Sequence, residues 1–170
     1  MTQEIVNRVT KSALEIFDLE DYYPNERRLL LDIKEFLHEG FILREKEFRE
    51  ALDSYSWETY ENAYVAIYCS TDAILPAWTF MLITSKLQPY ARKIVQGDLQ
   101  SLEVAIFQDI IAGVDISYLM DKPVIVKGCS KKPIPEEAYV MAVQRIQPIA
   151  RSVMFGEACS AVPIYKRKNM

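Results

Sequence analysis

The sequence predicts an α/β fold, a mainly parallel sheet with helices packed on it, and three observations carry that prediction. Short β-rich apolar runs, Val65-Ala66-Ile67-Tyr68, Lys93-Ile94-Val95, Val124-Ile125-Val126 and Val153-Met154-Phe155, alternate with stretches of helical period. Pro76 and Pro135 stand where helices begin, and Gly97 and Gly156 where strands end. The order strand, loop, helix, strand occurs twice, about sixty residues apart. Strands that alternate with helices of this length pair in parallel through right-handed crossovers.

The repetition reads as an internal duplication of a β-Cys-Ser-loop-α-β unit, over residues 64–98 and 123–157. Val65-Ala66-Ile67-Tyr68-Cys69-Ser70 leads through Leu75-Pro76 and Phe80 to Leu87-Gln88-Pro89-Tyr90-Ala91-Arg92 and Gly97-Asp98. Val124-Ile125-Val126-Lys127-Gly128-Cys129-Ser130 leads through Ile134-Pro135 and Tyr139 to Ile146-Gln147-Pro148-Ile149-Ala150-Arg151 and Gly156-Glu157. A third Cys-Ser, Cys159-Ser160, follows at once with its own Val162-Pro163.

Taken in order, Leu14–Phe17 and Leu29–Ile33 read as strands with a turn at Asp21-Tyr22-Tyr23-Pro24-Asn25 between them. Phe41-Ile42-Leu43 reads as a further strand feeding a helix over Glu45–Leu52. Residues 56–62 read as a connector whose Trp57 and Tyr60 cap the core from outside. Pro76 opens a helix through Trp78, Met81, Leu82, Ser85 and Leu87, and Leu102, Ile106, Ile110 and Ile111 recur at helical spacing. Pro135-Glu136-Glu137 begins the last helix with acids in its first turn, and Val140, Val143 and Ile146 line its face.

With 170 residues, half of them hydrophobic, the chain suits one well-filled core and is read as a single domain over 1–170. No apolar run approaches the ~18 residues that cross a bilayer, and Met1-Thr2-Gln3-Glu4 lacks the basic-then-apolar order of a secretion signal. A cytoplasmic protein without membrane contact is expected, with oligomer formation left open. Charge is uneven: residues 1–63 are acidic, with net charge −7, whereas residues 64–170 carry +3. A net-acidic chain lacks the footprint for nucleic acid, and Lys166-Arg167-Lys168 reads as a solvated tail. Neither familiar phosphate-loop motif is present, so nucleotide binding has no support.

The cysteines draw the functional reading. In parallel strands, Cys69, Cys129 and Cys159 fall at or just beyond the carboxyl ends, where open α/β sheets place their ligands, with Asp98 and Glu157 on the same edge. Three thiolates with a carboxylate or water satisfy zinc's four ligands, and thiolates also hold iron–sulfur clusters. The candidate metal ligands are therefore Cys69, Cys129 and Cys159, with Asp98 and Glu157 as carboxylate donors to zinc or an iron–sulfur cluster. The paired Cys-x-x-Cys spacing of a zinc ribbon is absent. A second reading is thiol redox or sulfur transfer at Cys129, which has Lys127, Lys131 and Lys132 beside it and a helix start ahead, with Cys159 as resolving thiol. His38, in Phe36-Leu37-His38-Glu39-Gly40, builds no triad, and Glu15, Asp18, Glu20 and Asp21 read as solvated turn acids. A third reading is a non-catalytic interaction protein that uses its acidic N-terminal portion and leaves the cysteines buried and apart.

Ile5-Val6-Asn7-Arg8-Val9, Phe17-Asp18-Leu19-Glu20-Asp21-Tyr22-Tyr23-Pro24, Asp32-Ile33-Lys34, Glu45-Lys46-Glu47-Phe48-Arg49, Leu87-Gln88-Pro89-Tyr90-Ala91 and residues 156–166 carry a resemblance. Across nearly its whole length the chain resembles a bacterial family, found mainly in Bacteroidota, catalogued as domain of unknown function 2480. The resemblance supplies no activity and no catalytic residues. It implies, through the nearness of family genes to those of the sulfur-mobilising assembly system, a role beside iron–sulfur assembly proteins, and so favours a cluster over plain zinc.

Overall fold

The computed structural model describes residues 14–128, 131–157 and 159–168. In chain order the strands and α-helices are β1 (Glu15–Phe17), β2 (Arg28–Asp32), α1 (Glu45–Ser54), β3 (Tyr64–Tyr68), α2 (Ala77–Leu87), β4 (Lys93–Gln96), α3 (Leu99–Gly113), β5 (Pro123–Lys127), α4 (Glu136–Ile146), β6 (Ser152–Gly156) and β7 (Val162–Lys166). The chain forms two compact units, one of residues 24–106 and the other of the residues up to 23 together with those from 107 onward. Each has its own sheet, so two sheets replace the one expected.

In the unit of residues 24–106 the strand order is β2-β3-β4, parallel throughout. Val65, Ala66 and Ile67 of β3 are all buried, which requires cover on both faces because successive side chains alternate. Phe48 and Leu52, one helical turn apart on α1, and Ile83 and Leu87 on α2 pack with Leu31, Val65 and Ile67. Trp57 and Tyr60 do not cap this core from outside: they are buried within it on a 3₁₀ turn, Trp57–Tyr60. Trp57 donates its indole N–H to the Leu52 carbonyl at 2.8 Å, which satisfies the one polar group that burial would otherwise strand. Phe41-Ile42-Leu43 is not a strand. The chain closes a tight turn there, with Glu39 and Gly40 at positive φ and His38 bridged to Ile42.

In the other unit the order is β1-β5-β6-β7. The first three strands are parallel, and β7 runs antiparallel to β6. The sequence reading ended at Phe155 and missed β7, an edge strand that accommodates Pro163 because one side of an edge needs no ladder N–H. Val124, Ile125 and Val126 of β5 are buried like their counterparts in β3. On α4 the buried stripe is Ala138, Ala142 and Ile146 at i, i+4, i+8 spacing, whereas Val140, expected on the core face, is 61% exposed. Small alanines fill the core side of the helix, Val143 packs against that core at its margin, and Val140 is turned to a second, outer apolar face.

Candidate functional site

At the carboxyl ends of the strands, each unit uses an aspartate to hold its loops. Asp32 ends β2, accepts the Lys34 N–H at 3.0 Å to start a 3₁₀ turn, and accepts the Ser70 N–H at 3.1 Å. Partial burial opposes its charge, but the Ser70 hydroxyl and N–H, the Lys34 N–H and the Lys34 charge outweigh it and hold the carboxyl below its ordinary range. Asp18, just after β1, likewise caps a 3₁₀ turn through the Glu20 N–H and takes the Lys127 ammonium at 2.5 Å. That hydrogen bond is the main reason the Lys127 pKa is raised; the charges of Asp18, Glu20 and Glu157 add to it. Glu20 in turn accepts the Lys131 N–H at 2.7 Å. Asp18 and Glu20, read from sequence as solvated turn acids, are structural ties.

Two of the three cysteines read as metal ligands are described, one in each unit. Cys69 follows β3 in the unit of residues 24–106, half-buried, with its Sγ 3.4 Å from the Thr71 hydroxyl. Cys159 belongs to the other unit and is exposed. Neither thiol is buried in the way the interaction-protein reading expected. Cys129 lies outside the described residues. Asp98 is an N-cap: its Oδ1 accepts the Ser101 N–H at 2.8 Å and hydroxyl at 2.7 Å at the start of α3, bonds that hold its carboxyl low. Glu157 is half-buried beyond β6. Among the described residues no group of three or more His, Cys, Asp or Glu side chains is placed to hold a metal ion. Nor is any helix there long and apolar enough to cross a membrane.

What the fold does build is an apolar groove beside α4. Val126 and Phe155 from the sheet, Met154 and Ile164 beside them, and Tyr139, Val140, Val143 and Gln144 of α4 enclose about 320 Å³. Tyr139 meets Phe155 edge-on with ring centroids 5.5 Å apart, which fixes one wall. The opposite wall is Ile164 of β7, half-exposed. Sequence reasoning missed this site because it depends on β7 and on the outward turn of Val140. The available signal was a second apolar stripe on α4, Tyr139, Val140 and Val143, beside the alternating Val162 and Ile164.

Residues 3–167 match the family model described as Protein of unknown function (DUF2480). No curated protein matches the chain, and no solved structure does.

Proposed function

The chain belongs to the DUF2480 family, and we propose that it acts as a binding protein through the groove between α4 and the β5-β6-β7 sheet. The observation that carries this reading is the groove's lining: seven of the eight residues around it are aliphatic, aromatic or methionine, with Gln144 the exception. A concave apolar surface left open to water is costly in the free protein and gains when a ligand covers it.

Features that recur at one constant offset support the duplication read from the sequence. The Asn62 and Asp121 N–H groups, both at positive φ, donate to the Tyr90 and Ile149 carbonyls. The Arg92 and Arg151 N–H groups donate to the Ala63 and Lys122 carbonyls, and Gly97 and Gly156 share positive φ. A second groove, about 530 Å³, is lined in the unit of residues 24–106 by Ile67, Phe80, Met81, Thr84, Ser85 and Gln96, among others. Those six stand at the same offset from Val126, Tyr139, Val140, Val143, Gln144 and Phe155 of the first groove. The second is the more polar, which is why the first is assigned the binding role.

A neutral solvatochromic dye such as Nile red tests the reading. Its fluorescence should rise with wild-type protein and fall back with Val140→Glu, a change at an exposed position that leaves the fold intact. Equal dye binding by both proteins would overturn it. So would stoichiometric iron or zinc in protein purified without oxygen, lost when Cys69, Cys129 or Cys159 is replaced by serine, which would restore a cysteine-held metal.

A further inference from the structure

The groove's neighbour indicates what kind of molecule enters it. On the adjoining side of α4, Gln108, Ile111 and Ala112 of α3 and Met141, Gln144 and Arg145 of α4 border a second hollow of about 520 Å³. Gln144 lines both hollows, so the two adjoin on either side of that one residue of the helix. At the far side stands Arg145, half-buried, with its Nη1 closed off from water and without a hydrogen-bond partner among the described residues. Buried donors are nearly always paired, and a guanidinium keeps its charge at every accessible pH. One carboxylate whose charge meets that of Arg145 is committed elsewhere. Asp115, after α3, is spent on the Ser117 N–H at 2.9 Å; its carboxyl is held low mainly by that residue and only further by the Arg145 charge.

An apolar trough that leads past an amide to a cation with an unpaired donor is complementary to an amphiphile. Given that the apolar groove is a binding site, we infer that its occupant is a medium-chain carboxylate, with its hydrocarbon along Val140, Val143, Phe155 and Ile164 and its head group at Arg145. The groove's 320 Å³ holds on the order of ten water-sized groups at about 30 Å³ each, which suits a chain of that length. Gln144 lies where tail and head join, and its amide donates to the carboxylate. Arg145 presents Nη1 by changing rotamer, a small adjustment for a side chain with several staggered torsions. The pairing is a charge-assisted hydrogen bond, stronger than a neutral one. Asp115 opposes it, being a like charge to the arriving head group.

Decanoate and 1-decanol, both kept below aggregation, separate tail from head in a titration followed by the methyl resonances of Val140, Val143 and Ile164 and the side-chain Nε–H of Arg145. Decanoate should bind at least tenfold more tightly than decanol and move both sets of signals. Arg145→Gln should erase that preference while leaving decanol affinity within twofold. Asp115→Asn keeps the oxygen that accepts from Ser117 and removes the charge, so it should tighten decanoate binding. If the two probes bind equally and Arg145→Gln changes nothing, the head-group assignment is wrong and the groove stands as a purely apolar site. Weaker decanoate binding by Asp115→Asn would likewise overturn it. If neither probe moves the groove methyls, both the occupant and the groove's binding role are refuted.

Discussion

The carboxylate of Asp32 accepts the backbone N–H of Ser70 at 3.1 Å, tying the end of β2 to the loop that leaves β3. One side chain thus serves two loops, since it also caps the 3₁₀ turn at Lys34. Asp32→Ala should cost about 1 kcal/mol, the ordinary worth of such a cap. Asp32→Asn should cost less, because its amide oxygen still accepts. Chemical denaturation of the two variants at neutral pH checks this. Equal losses would show that charge, and not hydrogen bonding, is what Asp32 contributes.

The same bonds set an acid limit. The carboxyls of Asp32, Asp98 and Asp115 are all held below the ordinary 3.8, and a depressed folded pKa means that the unfolded chain takes up protons first. Their contribution is complete above that value and is lost as pH falls through the lower folded values. Unfolding followed between neutral pH and pH about 2 should show stability declining below about pH 4. Replacing Asp98 and Asp115 together by asparagine should flatten that decline.

Gly97 turns the chain from β4 into α3 at φ +144°, and an added Cβ would lie 2.8 Å from the Ser101 hydroxyl that Asp98 holds. Both effects act against a side chain, so Gly97→Ala should destabilise by about 1–3 kcal/mol. Gly113, where a Cβ would meet nothing within 4 Å, is the control: Gly113→Ala should be neutral or slightly stabilising. The comparison is a pair of melting curves.

How much of this was legible in the sequence varies with the range of the interaction that decides it. Val65–Ile67 and Val124–Val126 announce buried strands, and Pro76 and Pro135 announce α2 and α4, because composition and turn chemistry are local. The family resemblance was legible as well, and the match over residues 3–167 upholds it. The division into two sheets was not, since parallel pairing such as Glu15 with Val124 joins residues far apart in the chain. Cysteine repetition pointed to one shared edge, yet Cys69 and Cys159 follow strands of different sheets. Helical period alone placed Val140 inward. Ala138 and Ala142 took the core side because their size permits closer helix–sheet contact, and the groove is the result.

That choice of face has a direct test on α4. Ile146 is 1% exposed in the core with Phe107, Val124 and Val153, so Ile146→Ala should cost about 2–5 kcal/mol. Val140→Ser, six residues earlier, should change stability by no more than about 0.5 kcal/mol. Were Val140→Ser the costlier of the two, α4 would have to be rotated and the groove with it.

Thiol reactivity separates the two described cysteines. Cys159 is exposed, whereas Cys69 is half-buried with its Sγ beside the Thr71 hydroxyl, which is itself anchored to the Gly40 carbonyl at 2.9 Å. Access favours Cys159, because alkylation needs a thiolate that the reagent can reach. In the Cys129→Ser variant near neutral pH, mass spectrometry should find Cys159 modified several-fold faster than Cys69. Thr71→Val should then raise the rate at Cys69 by loosening the loop that shelters it, with no change at Cys159. Faster labelling of Cys69 in the Cys129→Ser protein would mean that its loop opens readily, so that Thr71 does not hold it in solution.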